Sequence, residues 1–264
     1  TTALLNAGLR FPLAGQLGQT QARGVAGIAG TRNCDWWFTD EAVLIDTAGR
    51  YTTQDSDRDA DHWTHVEDVV DVLDAVGVPA VHVVAASFGS GVATQLAIAH
   101  PDRVLSMVLA PVGGAMLLTM TPSLSAFIET EEAALAVGGL DSAMEANISA
   151  WVVGADRTES DVPAGVCDLV RTMQRRAFEL ADRISAPADE EDEPFDRVSQ
   201  VTAPTLIIVG AHDLDASLDA ATRWADALPH ADLERWEDVA HLLSLERPER
   251  FTERLTSWVN EHHP

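Results

Sequence analysis

Apolar runs and helical patterns alternate along much of this chain. Short runs rich in valine and isoleucine lie near residues 81–84 and 203–210, and a shorter one lies at 233–236. Continuous apolar runs of this length are typical of strands that are buried on both faces of a sheet. An apolar helical pattern follows the first run. This alternation predicts an α/β fold with a mostly parallel central sheet flanked by helices.

The stretch between about 113 and 200 has a different pattern. Residues 124–137, 143–152 and 166–180 carry apolar side chains at helical spacing. The strand pattern resumes only after an acidic, proline-bounded segment. The chain therefore predicts a helical insertion between the two halves of the sheet.

The first buried strand leads into a tight turn with a serine at its apex. The turn reads Ala-Ala-Ser-Phe-Gly-Ser-Gly over residues 85–91. A strand, a turn with serine and a helix are the context of a nucleophile elbow, which pushes the Ser87 hydroxyl out of the sheet. The same turn points the Phe88 backbone N–H towards a developing oxyanion. Because alanine replaces the first glycine of G-x-S-x-G, a surface serine in an ordinary turn is the alternative.

Two further residues follow Ser87 in the chain order serine, acid, histidine, which one class of catalytic triad uses. Asp213 closely follows the second buried strand, and His241 lies on a loop after the third. A histidine can take the serine proton, and a buried carboxylate can orient that histidine and stabilise the imidazolium. Asp215 is an alternative acid, two positions on. Serine, acid and histidine at the ends of successive strands predict a catalytic triad.

From about residue 62 to the end, the sequence resembles an α/β-hydrolase of the esterase and lactonase-like group. Besides the elbow, the matching pieces include Gly-Ala-His-Asp at 210–213 and Ala-His-Leu at 240–242. The resemblance implies that Ser87 is the nucleophile, Asp213 the acid and His241 the base.

The same resemblance implies a domain organisation. In this family a helical insertion forms a cap over the active site. We therefore expect a hydrolase core at 61–112 and 201–264, and a helical cap at 113–200.

The first 56 or so residues resemble a different family. Residues 1–14, 30–40 and 41–56 are similar to the nucleotide-binding domain of the IcmF/TssM subunit of type VI secretion systems. That domain uses a glycine-rich phosphate loop with a lysine, whereas all 17 basic residues of this chain are arginines. We therefore reject nucleotide hydrolysis and interpret the chain as a chimera with its junction at 56–62.

A chimera of this kind lacks the strands that normally precede the elbow. We expect residues 1–60 to complete the sheet, with strands at 35–39 and 42–45 beside the elbow strand. The family's oxyanion loop has no counterpart, because no His-Gly pair precedes Ser87. Loss of one oxyanion donor lowers kcat by about 10²–10³. We therefore expect modest turnover, unless the loop at 27–33 supplies a second donor beside Phe88.

These observations predict a serine hydrolase that cleaves small carboxylic esters through an acyl-enzyme intermediate. Lactonase, carbon–carbon bond hydrolase and perhydrolase chemistry would use the same triad, and a chimera without a full oxyanion hole would be catalytically silent. Dehalogenases and epoxide hydrolases are disfavoured, because their elbow nucleophile is aspartate. Met116, Trp151 and Leu242 are candidate substrate contacts, although such apolar residues more often pack within an insertion's own core.

Charge and composition restrict the classes of partner and substrate that we expect. The formal net charge of −25 at pH 7 argues against nucleic acid and anionic membranes, and favours neutral or cationic small substrates over polyanions. No apolar run could span a membrane and no signal peptide is visible, so we expect a cytoplasmic protein. Cys34 and Cys167 are isolated, so we expect no metal and no cofactor. An exposed sheet edge would permit a homodimer.

Overall fold

The computed structural model describes residues 2–6, 35–38, 42–46, 64–75, 77–180 and 194–262. Within these residues, seven strands form one sheet: β1 (Thr2–Asn6), β2 (Asp35–Phe38), β3 (Ala42–Asp46), β4 (Val81–Ser87), β5 (Val104–Val112), β6 (Thr205–Gly210) and β7 (Ala231–Trp236). Their order is β2-β3-β1-β4-β5-β6-β7. All neighbours pair in parallel except β2 and β3. The predicted mostly parallel sheet is therefore confirmed.

The helices flank the sheet and fill the insertion. They are α1 (His65–Ala75), α2 (Phe88–Ala99), α3 (Pro122–Ala136), α4 (Leu140–Asn147), α5 (Val166–Leu180), α6 (Asp215–Ala227), α7 (Leu243–Glu246) and α8 (Pro248–His262). A π-helix at Ile148–Val153 continues directly from α4. The described part of the segment between β5 and β6 is therefore mainly helical, and α5 has the bounds that the apolar spacing predicts.

The central sheet is buried on both faces, because successive residues of a strand point to opposite sides. In β4, Val83 and Ala85 join a core cluster with α1, α2 and α6, whereas Val84 belongs to a cluster with α8. The same alternation recurs in β5 and β6. Two large side chains, Trp224 on α6 and Trp258 on α8, are almost completely buried in the two clusters. This double burial explains the continuous apolar runs in the sequence.

The N-terminal segment supplies the strands on the side of β4 that is opposite β5. The strands expected at 35–39 and 42–45 correspond to β2 and β3, but neither pairs with β4. The direct neighbour of β4 is β1, which the sequence pattern did not predict, and Asn6 pairs in register with Ala86. The N-terminal segment therefore supplies the sheet positions next to the elbow strand, and β1 is the strand of this segment that pairs with β4. The junction at 56–62 lies outside the described residues.

Candidate active site

Ser87 ends β4 with a backbone conformation that non-glycine residues rarely adopt. Its φ is 53° and its ψ is −121°, and α2 begins at the next residue, Phe88. A side chain held at positive φ stores strain that the surrounding fold has to balance. The turn is the strained strand-to-helix connection of a nucleophile elbow, and it leaves Ser87 partly exposed.

Two glycines after β5 allow the chain to pass close to this elbow. A Cβ atom on Gly113 would lie 2.7 Å from Ser87 Oγ and 3.0 Å from Ser87 Cα. Gly114 has a φ of 56°, and a Cβ atom there would lie 3.0 Å from Phe88 Cα. The close approach of the two backbones therefore requires glycine at both positions.

Ser87, His241 and Asp213 form one hydrogen-bonded series. His241 Nε2 lies 2.9 Å from Ser87 Oγ, and His241 Nδ1 lies 2.7 Å from Asp213 Oδ2. The other oxygen of Asp213 accepts the backbone N–H of Leu214 at 2.7 Å. Asp213 is 1% exposed and His241 is 4% exposed. Because a carboxylate accepts hydrogen bonds, His241 Nδ1 donates, and Nε2 is left to accept the proton of the Ser87 hydroxyl.

The two candidate acids have different partners. Asp213 meets His241, whereas Asp215 Oδ1 accepts hydrogen bonds from the hydroxyls of Thr121, at 2.6 Å, and Ser123. Partial burial raises the pKa of Asp215, but these hydrogen bonds outweigh burial and hold the pKa below its ordinary value of 3.8. Asp215 thus ties the start of α3 to α6 and does not contact the histidine ring.

The π-helix places the insertion directly against the histidine. The ring centroids of Trp151 and His241 are 4.6 Å apart, and the two planes are inclined by 55°. The backbone carbonyl of Trp151 also accepts the N–H of His241 at 3.3 Å. A π-helix often marks a functional site, because its extra residue redirects the backbone and side chains around it. One residue of the insertion therefore contacts both the ring and the backbone of His241.

The residues after the π-helix contact the loop that carries the acid. Gly154 has a φ of 77°, and a Cβ atom there would lie 2.1 Å from the carbonyl oxygen of His212. The N–H of Ala155 donates to that same oxygen at 2.8 Å, and His212 Nδ1 lies 2.9 Å from the Ala155 carbonyl oxygen. Because His212 immediately precedes Asp213, these contacts fix the acid loop to the insertion.

A buried ion pair supports the peptide that precedes His241. Arg157 Nη2 lies 2.6 Å from Glu246 Oε2, and the two side chains are 6% and 0% exposed. Glu246 Oε1 accepts the backbone N–H of Ala240 at 2.8 Å. Within the described residues, Nε and Nη1 of Arg157 are buried without a hydrogen-bond partner. The pair therefore links the insertion, α7 and the histidine loop.

The three candidate substrate contacts occupy different surroundings. Trp151 is partly exposed beside His241. Leu242 is 5% exposed and packs with apolar residues of the insertion, including Val152. Met116 is fully buried in the core, and its carbonyl accepts Trp224 Nε1–H at 2.9 Å. We therefore correct the interpretation of Met116: it is a core residue, because none of its surface is open to a substrate.

Phe88, the expected oxyanion donor, stands at the first position of α2. Backbone N–H groups in the first turn of a helix have no partner within that helix, so the Phe88 N–H can serve an oxygen beside Ser87. The Phe88 side chain is 41% exposed and meets the His65 ring edge to face, with 5.1 Å between the centroids. The loop at 27–33, a candidate source of the second donor, lies outside the described residues.

Other reactive side chains give little competing chemistry. In the part of the chain that the structure describes, no group of three or more His, Cys, Asp or Glu side chains could hold a metal ion. Cys167 is a buried free thiol, and burial raises its pKa, so it is a poor nucleophile.

None of the described helices is both long and apolar enough to cross a membrane.

Sequence reasoning missed the contacts that support Asp213 and His241. The Arg157–Glu246 pair joins residues 89 positions apart, and the His212–Ala155 hydrogen bond joins residues 57 positions apart. One signal was available: Glu246 lies on the short helix just after the histidine, within the Leu-Glu-Arg-Pro stretch at 245–248. Its charged partner could not be chosen from the sequence.

Comparison with known proteins decides the family. The sequence profile of the alpha/beta hydrolase fold matches residues 46–248, more than half of the chain. The chain belongs to the α/β-hydrolase fold family. A solved structure titled "Est816 as an N-Acyl homoserine lactone degrading enzyme" has a TM-score of 0.65 at 22% identity, over 98% of this chain and 93% of that one. That similarity confirms the α/β-hydrolase fold.

Two curated relatives match different parts of this α/β-hydrolase. The 2-hydroxy-6-oxononadienedioate/2-hydroxy-6-oxononatrienedioate hydrolase of Cupriavidus pinatubonensis is 25% identical over 192 residues, which are 71% of this chain and 65% of that protein. The type VI secretion system component TssM1 of Pseudomonas aeruginosa is 69% identical over 61 N-terminal residues, 23% of this chain and 5% of that protein. The chain thus spans less than two thirds of each, and the pair of matches is consistent with the predicted chimera.

Proposed function

We propose that this chain is a serine hydrolase that cleaves small carboxylic esters through an acyl-enzyme intermediate. The observation that carries the proposal is the series from Ser87 Oγ to His241 Nε2, at 2.9 Å, and from His241 Nδ1 to Asp213 Oδ2, at 2.7 Å. The strained turn at Ser87 and the α/β-hydrolase family support the same assignment.

Acylation follows from this geometry. Ser87 Oγ attacks the ester carbonyl carbon while its proton passes to His241 Nε2, and the carbonyl oxygen becomes an oxyanion that accepts the Phe88 N–H. Asp213 stabilises the imidazolium through its hydrogen bond with Nδ1. The carbonyl then re-forms, the bond to the alkoxy oxygen breaks, and the alcohol leaves with the proton from Nε2.

Deacylation repeats these steps with water. His241 Nε2 takes a proton from a water molecule, whose oxygen attacks the acyl carbon held on Ser87. The second tetrahedral intermediate collapses, and Ser87 Oγ leaves with the proton from Nε2. The carboxylic acid is released and the enzyme returns to its starting state.

The surroundings of the triad favour a neutral, apolar substrate. The Phe88 side chain, directly after Ser87 in the chain, is apolar and 41% exposed. Arg157, an arginine of the insertion, forms an ion pair with Glu246 through Nη2. The net charge of −25 also disfavours an anionic ligand. A small ester with an apolar acyl group meets these conditions.

Cleavage of a carbon–carbon bond in a 2-hydroxy-6-oxo dienedioate is the second candidate, favoured by the relative from Cupriavidus pinatubonensis. The same serine and histidine would act on a ketone carbonyl, and a carbanion would leave instead of an alkoxide. We place this candidate second because its substrate carries two carboxylates, which need cationic partners. Assay of both substrate classes on the same preparation separates them.

The proposal is tested by hydrolysis of p-nitrophenyl acetate and butyrate with the full chain. Ser87→Ala should lower kcat by at least about 10³, because the nucleophile is lost. Ser90→Ala is the matched control: this buried hydroxyl donates to the Pro111 carbonyl at 2.9 Å, and its loss should leave turnover close to wild type. Equal activity in wild type and Ser87→Ala would overturn the proposal, and a folded but inactive wild type would favour the catalytically silent alternative.

A further inference from the structure

We infer that Trp151 is a positioning residue for His241, and that its ring stabilises the protonated form of the imidazole. The inference deepens the proposed function and rests on it in one respect: the imidazolium forms during turnover only when His241 takes the proton of Ser87. It gives Trp151 a role different from the substrate contact that the sequence suggested.

The ring of Trp151 lies beside the ring of His241. An indole attracts a cation that lies over its face within about 6 Å of the ring centroid. The His241 centroid lies 4.6 Å from that of Trp151, and His241 is 4% exposed, so water screens the contact only weakly. The neutral imidazole gains little from this attraction, whereas the imidazolium gains more. An interaction that is stronger with the charged intermediate than with the ground state accelerates the reaction.

The backbone of Trp151 contacts the same histidine. Its carbonyl accepts the N–H of His241 at 3.3 Å, so ring and backbone together fix the histidine. The indole is itself held by Phe127, which meets it edge to face with 5.3 Å between the centroids. Gly154, which directly follows the π-helix that carries Trp151, lies against the carbonyl of His212. These contacts leave the indole well defined before any substrate binds.

The charges around His241 do not depend on the indole. Asp213 meets Nδ1, and Ser87 meets Nε2. Behind the preceding peptide, Glu246 accepts the Ala240 N–H and pairs with Arg157. Substitution of Trp151 therefore changes the π face beside the histidine and leaves these charged groups in place.

The test compares Trp151→Leu and Trp151→Phe with the wild type. Trp151→Leu should lower kcat by about 3- to 30-fold with little change in KM, because the imidazolium loses a desolvated cation–π contact. The acid limb of the pH–rate profile should move to lower pH, because the imidazolium is less stable without the indole. Trp151→Phe keeps a π face and should recover part of both effects. Phe195→Leu, which removes a ring that contacts Trp224, controls for the loss of an aromatic contact elsewhere.

A second readout does not depend on turnover. In an NMR titration of histidine-labelled protein, the His241 ring signals are identified by their loss in His241→Gln. They should titrate at lower pH in Trp151→Leu than in wild type. This shift would support the inference even if the wild type hydrolysed no ester, a result that would overturn the proposed function alone.

Three results would overturn the inference. A rise in KM with unchanged kcat would make Trp151 a substrate contact. A fall in kcat without a shift in the acid limb of the pH–rate profile would show that the indole acts only through packing and does not stabilise the imidazolium. An NMR titration of His241 that is identical in wild type and Trp151→Leu would contradict the charge effect directly.

Discussion

The two sides of the candidate active site are held in different ways. On the nucleophile side, Ser87 depends on a strained turn and on the close approach of Gly113, where a Cβ atom would lie 2.7 Å from Ser87 Oγ. On the histidine side, polar contacts dominate: residues 151–157 of the insertion reach the loops of Asp213 and His241 through backbone hydrogen bonds and an ion pair.

This difference determines how each side can fail. The nucleophile side is tightly packed where Gly113 approaches Ser87, so adding atoms there should damage it, whereas the histidine side should be damaged by removing polar atoms. The proposed hydrolase function depends on both sides meeting across the 2.9 Å contact between Ser87 Oγ and His241 Nε2. The following changes test each side separately.

The largest expected effect is on the acid of the histidine side. Asp213→Asn should lower kcat by about 10⁴, because an amide in this position favours the wrong histidine tautomer. Asp215→Asn is the matched control, since Asp215 bonds Thr121 and Ser123 and does not contact His241. Ester hydrolysis by the two purified variants checks this prediction. A larger loss in Asp215→Asn than in Asp213→Asn would reverse our assignment of the acid.

Removal of a charge from the buried pair should mainly lower stability. Glu246→Ala leaves Arg157 unpaired in the interior and the Ala240 N–H without an acceptor, so the free energy of unfolding should fall by about 3–5 kcal/mol. Urea denaturation measures this change. Glu237→Ala, at an exposed pair with Arg235, should change it by less than about 0.5 kcal/mol. Equal effects of the two substitutions would show that the buried pair does not support the histidine side.

Adding one methyl group should damage the nucleophile side. Gly113→Ala places a Cβ atom against Ser87, and a displacement of about 1 Å there should lower kcat/KM by roughly 10². Gly91→Ala adds the same methyl on α2, where the nearest atoms would lie at an ordinary 3.9 Å, and should retain activity. Steady-state kinetics, with circular dichroism as a check on folding, compare the two. Full activity of Gly113→Ala would contradict the close fit around Ser87.

The smallest expected effect is the pH dependence of the stability that Asp215 contributes through its hydrogen bonds between α3 and α6. The folded pKa of Asp215 lies below its ordinary value of 3.8, so the ionised carboxylate stabilises the fold above that value. This stabilisation should be lost as the pH falls from about 3.8 through the lower folded pKa, and it should stay below about 1 kcal/mol because the group is exposed. Urea midpoints of wild type and Asp215→Asn should therefore converge at low pH. A difference that grows on acidification would contradict this sign.

The sequence predicted the fold best where burial was strongest. The apolar runs that form β4 and β6 are buried on both faces of the sheet. Their nearly continuous apolar composition is typical of such strands. The amphipathic spacing at 166–180 gave α5 with its observed bounds. In contrast, β1 is a five-residue strand whose place beside β4 depends on pairing, and pairing leaves no periodic signal in the sequence.

The candidate site was predictable only for the three residues of the proposed triad. Ser87, Asp213 and His241 stand at strand ends in a fixed chain order, and the structure brings them together. The residues that hold them, such as Arg157 and Glu246, are joined by long-range contacts between side chains that are common in any sequence. Met116 was misjudged because a buried methionine and a pocket methionine have the same local pattern.

The central claim is that Ser87 is a nucleophile activated by His241, and covalent trapping tests it most directly. A fluorophosphonate reacts with an activated serine when a bond from Oγ to phosphorus forms, fluoride leaves and the proton passes to the base. Peptide mass spectrometry should find the phosphonyl adduct on Ser87 in the wild type, none on the neighbouring Ser90, and almost none on Ser87 in His241→Gln. An unmodified Ser87 in the folded wild type, or equal labelling in His241→Gln, would contradict the account.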